Sequence, residues 1–108
     1  MTGPVVVLTA LGAPPDAERI ARALVEERLA ACVNVVPGVV SIYRWKGVVE
    51  KENELLLVIK TIGEKVEQLK ARLLQLHPYE LPEVVVIPIG GGHKAYLEWI
   101  AEQVQPLS

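Results

Sequence analysis

Two apolar, β-branched runs separated by a short turn signal restrict the fold more than any other feature of this chain. From Ala31 the sequence passes through Val33, Val35, Val39, Val40 and Ile42 to Trp45, and branching at Cβ favours the extended, pleated backbone of a strand. Lys46-Gly47 supplies turn chemistry, after which Glu54 to Thr61 makes a second strongly apolar strand, so the pair predicts an extended hairpin. Pro37-Gly38 interrupts the first run and predicts a bulge or bend. A hairpin this long outruns the sheet of a small domain and must project from it. Its free edges then need charges or a partner, and so apolar a ribbon points to pairing with a neighbouring subunit.

Composition supports that reading. The 108 residues are expected to form one domain spanning residues 1–108, large enough to bury roughly two-thirds of the surface its unfolded chain exposes. Hydrophobic residues make up 51% and charged residues 22%, with a mean hydropathy of +0.32. That is more apolar surface than a domain of this size hides alone, which predicts a homo-oligomer. A net charge of −2 and a pI near 5.7 give no field that would attract phosphate backbones or an anionic membrane, so no nucleic-acid partner is expected.

Cys32 is the only cysteine, so no intrachain disulfide can form, and inside an apolar run it reads as an inert buried thiol. Met1-Thr2-Gly3-Pro4 has neither the basic start nor the apolar run of an export signal, and a cytoplasmic location is expected. Asn34, Lys60, Glu83 and the glycines interrupt every apolar stretch before it reaches the roughly 20 residues that cross a bilayer, so no membrane partner is expected.

The remaining elements follow from periodicity and breakers. Val5 to Thr9 reads as a buried strand ended by Leu11-Gly12-Ala13-Pro14-Pro15. Asp16 caps or charges the first turn of a helix whose apolar face is Ala17, Ile20, Ala21, Leu24, Val25 and Leu29, with Glu18 and Arg22 four apart in the favourable order. Gly63 opens a second helix carrying Val66, Leu69, Leu73 and Leu76, and Pro78 stops it. Val84 to Ile89 is a fourth strand, and after Gly90-Gly91-Gly92 a third helix buries Leu97, Ile100 and Val104. The order predicts an α+β, ferredoxin-like two-layer sandwich, βαββαβ plus a C-terminal helix, with an antiparallel sheet and a long hairpin between the second and third strands.

That topology fixes which ends meet. Strands one and two run one way and strands three and four the other, so Thr9, His77, Glu83 and the hairpin tip near Trp45 are expected on one rim. Cys32 and Lys60 belong to the opposite rim.

The segment His77-Pro78-Tyr79-Glu80-Leu81-Pro82-Glu83 concentrates polar chemistry between a helix and a strand. Two prolines hold its backbone open, which suits a binding rim. His77 sits at a helix C-terminus, where a cationic imidazole is favoured as a cap, and it is also the candidate ligand for a metal or small molecule. Glu83 either pairs with a neighbour's cation or solvates a strand end. Tyr79 can hydrogen-bond a ligand or another subunit, and Tyr43 and Trp45 read as interface anchors. Lys60 reads as a strand-end charge. Gly90-Gly91-Gly92 lacks the Lys and the Ser or Thr of a P-loop. No nucleophile motif or paired carboxylates mark an enzyme. An RNA-reading surface lacks its aromatics, and a metal-transfer loop lacks its thiols.

Leu29-Ala30-Ala31-Cys32-Val33-Asn34, Pro37-Gly38, Ser41-Ile42-Tyr43-Arg44-Trp45-Lys46-Gly47, Lys60-Thr61, His77-Pro78-Tyr79, Pro82-Glu83 and Tyr96-Leu97-Glu98-Trp99, in this order, resemble the divalent-cation tolerance (CutA) proteins over nearly the whole chain. The resemblance implies a tight homotrimer with the long hairpin pairing across subunits, a role in tolerance of copper and other divalent metals, and likeness to PII-type trimeric signalling proteins. In some members a Cys ends strand one and a second His precedes the His-Pro-Tyr block. Here those positions are Thr9 and Leu76, which leaves His77 alone of that metal set.

The function expected is therefore that of a non-enzymatic trimer with no required cofactor. It binds a small ligand or a divalent metal ion such as copper in clefts between subunits, through His77, Tyr79 and Glu83, with Lys60 or Trp45 from a neighbour. The alternatives are a trimeric scaffold docking a protein partner and an enzyme using the same cleft.

Overall fold

The long hairpin dominates the shape of the molecule, which extends 47 × 26 × 23 Å along its principal axes. A computed structural model describes residues 2–106. Among them the order is β1 (Pro4–Leu11), α1 (Pro14–Glu26), β2 (Cys32–Trp45), β3 (Val48–Ile62), a 3-10 turn (Gly63–Lys65), α2 (Val66–Leu76), β4 (Val85–Pro88) and α3 (Lys94–Gln103). The sheet runs β2-β3-β1-β4 with every neighbouring pair antiparallel. β1 and β2 therefore run together against β3 and β4, which is the ferredoxin-like α+β sandwich expected.

Strand alternation builds the core. Val5, Val7, Thr9 and Leu11 of β1 have no exposed surface, and in register beside them stand Leu55, Leu57, Ile59 and Thr61 of β3. Ile20 and Leu24 of α1 and Leu69 and Leu73 of α2 close over the apolar members of this face. Ile62 has the opposite parity and packs with Ala31, Ile100 and Val104, so α3 covers one end of the second sheet face. Beyond that end Leu8, Leu56 and Val58 are only partly buried, and Val85 and Ile87 are exposed. Arg72 grips both carboxylate oxygens of Glu27 at 2.9 Å, tying α2 to α1.

The hairpin carries both devices its sequence announced. Val36 pairs with Leu56 and Val39 with Glu54, so Pro37 and Gly38 together oppose Leu55 as a β-bulge, with Gly38 at φ +78°. Lys46 and Gly47 both have positive φ, 51° and 83°, the geometry of the tight turn whose twist matches paired strands. Past the bulge the ribbon leaves the sheet as an arm on which Val40, Ile42, Val48 and Val49 are all more than half exposed.

Several boundaries differ from expectation. β3 begins at Val48, six residues before Glu54, because residues 48–53 pair with β2 despite their charge. β1 continues to Leu11, and the helix after Gly63 starts as a 3-10 turn. Asp16 charges the first turn of α1 but does not cap it: Ala13 holds the cap position, followed by Pro14 and Pro15. Those prolines suit the first helical turn, whose N–H groups lack intrahelical acceptors. Glu18 and Arg22 do pair, at 3.1 Å.

Candidate functional site

Pro78 ends α2, and His77 follows the last helical residue with extended backbone at φ −74°, ψ 133°. That turn swings the imidazole under the end of β1, where only 7% of the residue stays exposed. Nε2 lies 3.0 Å from the Ala10 carbonyl, and Nδ1 accepts the Tyr79 N–H at 3.2 Å. The network places the proton on Nε2, since Nδ1 is already an acceptor. Burial lowers the pKa below 6.5, outweighing the Ala10 bond and the charges of Glu54, Asp16 and Glu83. His77 is thus a neutral strut, which corrects the cationic helix cap expected from sequence.

The same geometry bears on the metal set. Both ring nitrogens of His77 are engaged, Thr9 is fully buried and Leu76 is a hydrocarbon. A metal ion at His77 would have to displace the Ala10 or the Tyr79 bond. Among the described residues no three His, Cys, Asp or Glu side chains converge on a metal position. These residues do not fit a metal centre within one protomer.

Tyr79 lies edge-on to His77 with ring centroids 4.8 Å apart, and its hydroxyl donates to Glu54 Oε2 at 2.6 Å. Burial, reinforced by Glu54, raises the phenol pKa. This bond ties the loop after α2 to the root of the arm. Between the two lies a cavity of about 890 Å³ lined by Trp45, Tyr43, Glu52, Glu54, Tyr79 and Glu83, among others. Tyr79, Glu83 and Trp45 therefore line one space within a single protomer, with His77 behind Tyr79.

Lys60 lies elsewhere. It pairs in register with Cys32 and Val6, and its ammonium sits 3.4 Å from the Tyr96 hydroxyl and 5.7 Å from that ring's centre. This is the opposite rim, as the topology requires. Cys32 is partly exposed, not the buried thiol expected, because its side chain shares the sheet face of Lys60 and not the helix-covered face. Gly90, Gly91 and Gly92 lie in the segment before α3 and do not line the cavity.

Sequence reasoning overlooked Glu52 and Glu54. The signal was the alternation Glu50-Lys51-Glu52-Asn53-Glu54, which puts three carboxylates on one face of a strand. Their register partners are Tyr43, Ser41 and Val39. Tyr43 reports the result: partial desolvation and then Glu52, Glu50 and Glu54 raise its pKa.

Two buried threonines make a controlled comparison. Thr61 Oγ1 donates to the Leu29 carbonyl at 2.8 Å, whereas Thr9 Oγ1 is buried without a partner. Thr61→Val is expected to cost about 1–2 kcal/mol and Thr9→Val to be neutral or stabilising, since only the first loses a bond. Denaturant midpoints of the two variants check this, and equal losses would contradict it.

An α+β subunit of ferredoxin-like topology, with a projecting two-stranded arm and a polar rim closed by a His-Pro-Tyr loop, defines the structural class. The chain belongs to the family described as CutA1 divalent ion tolerance protein, whose model matches residues 5–103. It is 53% identical over 97 residues to the divalent-cation tolerance protein CutA of Thermus thermophilus, covering 90% of this chain and 94% of that one. It is 45% identical over 92 residues to human protein CutA, covering 85% of this chain but only 51% of the human protein, so it spans about half the length of that relative. The solved structure of the divalent cation tolerance protein (Cut A1) from Thermus thermophilus superimposes with a TM-score of 0.90 at 51% identity, over 93% of this chain and 97% of that one. The PII-like protein CutA from Nostoc gives 0.86 at 44% identity, over 97% and 98% of the two chains. Two relatives are named chloroplastic and one solved structure periplasmic, so the family is not confined to one compartment. No helix among the described residues is long and apolar enough to cross a membrane.

Proposed function

We propose that this protein is a non-enzymatic homotrimer that holds a small ligand in clefts between subunits, as a member of the divalent-ion tolerance family. The observation that carries the reading is the exposed apolar arm beside a cavity. Ile42 is 70% exposed, Val49 60% and Val40 52%, on one face of the arm in register with Lys51, Arg44 and Asn53, and an exposed apolar patch rimmed by polar residues marks an interaction surface. A second copy covering the arm would bury it and wall the cavity from outside. Tyr79, Glu83 and Trp45 form the ligand-facing surface, and His77 positions Tyr79. Lys60 joins a cleft only from a neighbouring subunit. Divalent tolerance in the names of relatives makes a divalent ion such as copper a second ligand to test, at a position two subunits would have to build together, since no three metal-binding side chains converge among the described residues of one.

Static light scattering at micromolar concentration is expected to report about 35 kDa, three copies of the 11.8 kDa chain. Ile42→Glu, which puts a charge on the arm, is expected to lower that mass. A folded 11.8 kDa particle for the unaltered chain would overturn the reading. The scaffold alternative draws on Leu81, which is 70% exposed on the loop itself, and on the likeness to a PII-like protein. It predicts a trimer that captures a protein partner and loses it on Leu81→Glu.

A further inference from the structure

We infer that the cavity between arm and loop takes an organic cation, a small molecule bearing ammonium groups on a hydrocarbon frame. The inference rests on the cleft reading above and names the ligand class of that site.

The charge around the cavity is one-sided. Glu52, Glu54, Glu80 and Glu83 line it, and Arg44 is the one basic lining residue. Among the described residues none of those four carboxylates takes part in an ion pair. An excess of like charges around a concave surface focuses their field and concentrates cations there.

The walls select among cations. Tyr43, Trp45 and Tyr79 all line the same space, and an ammonium over an aromatic face gains from the ring's negative centre. Trp45 already holds one, for the Lys46 ammonium lies 5.6 Å from its ring centroid. The phenol of Tyr79 spends its proton on Glu54, so this residue offers the cavity a ring and no hydrogen for an anion. The space, about 890 Å³ and open on one side in a single protomer, is large enough for a small organic molecule and far exceeds a bare ion. No three side chains of metal-binding type converge among the described residues. Apolar walls with carboxylates at intervals match a hydrocarbon chain with separated positive ends.

Isothermal titration of the full chain at low ionic strength with butane-1,4-diamine tests this, with succinate and copper(II) alone as comparators. The expected result is saturable diamine binding that weakens at least about tenfold in the double variant Glu52→Gln, Glu83→Gln, weakens in Trp45→Leu, and falls as salt is raised. Diamine heats that never saturate, undiminished binding by the double variant, or tighter binding of succinate or copper alone would each overturn it. Light scattering and circular dichroism on the same samples separate two failures. A trimer that ignores the diamine refutes the ligand class alone, whereas a folded monomer refutes the oligomeric reading.

Discussion

Leu57→Ala is expected to lower the stability of the folded chain by about 2–5 kcal/mol. Leu57 has no exposed surface and lies in β3 between Val35 of β2 and Thr9 of β1. It packs in the cluster that includes Ile20 and Leu24 of α1 and Leu69 and Leu73 of α2. Truncation removes apolar contact and leaves a void that β3, hydrogen-bonded on both sides, cannot move to fill. Urea unfolding at fixed protomer concentration measures the loss, because association would otherwise shift the midpoint by mass action. Glu26→Ala is the control. Exposed at the end of α1 and in no ion pair among the described residues, it should leave stability within about 0.5 kcal/mol. Equal losses from the two variants would contradict this account of the core.

His77→Leu is expected to cost about 1–3 kcal/mol and to change how stability responds to acid. The cost arises because the Ala10 carbonyl and the Tyr79 N–H lose the partners supplied by the imidazole. The pH effect has a definite sign. Burial lowers the folded pKa below the ordinary 6.5, so the unfolded chain takes up the proton more readily than the folded one. The contribution of neutral His77 is complete above pH 6.5 and is lost progressively as pH falls from there towards the lowered folded value. Thermal midpoints at pH 8 and pH 5 should therefore differ more in the unaltered chain than in the variant. A variant with the same acid sensitivity would show that other groups set it.

Much of this architecture was legible in the residues. Apolar, largely β-branched runs marked the strands and period-3.6 patterns the helices, and Pro37-Gly38 and Lys46-Gly47 marked the bulge and the turn. The rim assignment followed from strand direction alone, which is why Lys60 and His77 were expected apart and lie apart. What was not legible depended on tertiary context. Residues 48–53 carry too much charge to read as strand, yet β2 is long enough to template them, so β3 begins earlier than its apolar run. The protonation of His77 could not be read from its place at a helix end, because the deciding influence is burial beneath β1, 67 residues distant in sequence. Cys32 looked buried among valines until register put it on the face that the first two helices leave open.

The unbroken course of β3 bears on how copies of this chain would find each other in the proposed trimer. One strand of 15 residues, Val48–Ile62, runs from the packed centre to the tip without a bulge of its own, and Tyr79 braces it at Glu54. The arm is therefore preformed before any encounter. A preformed surface loses little conformational freedom on docking. In the trimer proposed above, recognition between copies would then proceed as rigid bodies finding the right orientation, with a rate governed by diffusion and alignment and no slow ordering step afterwards.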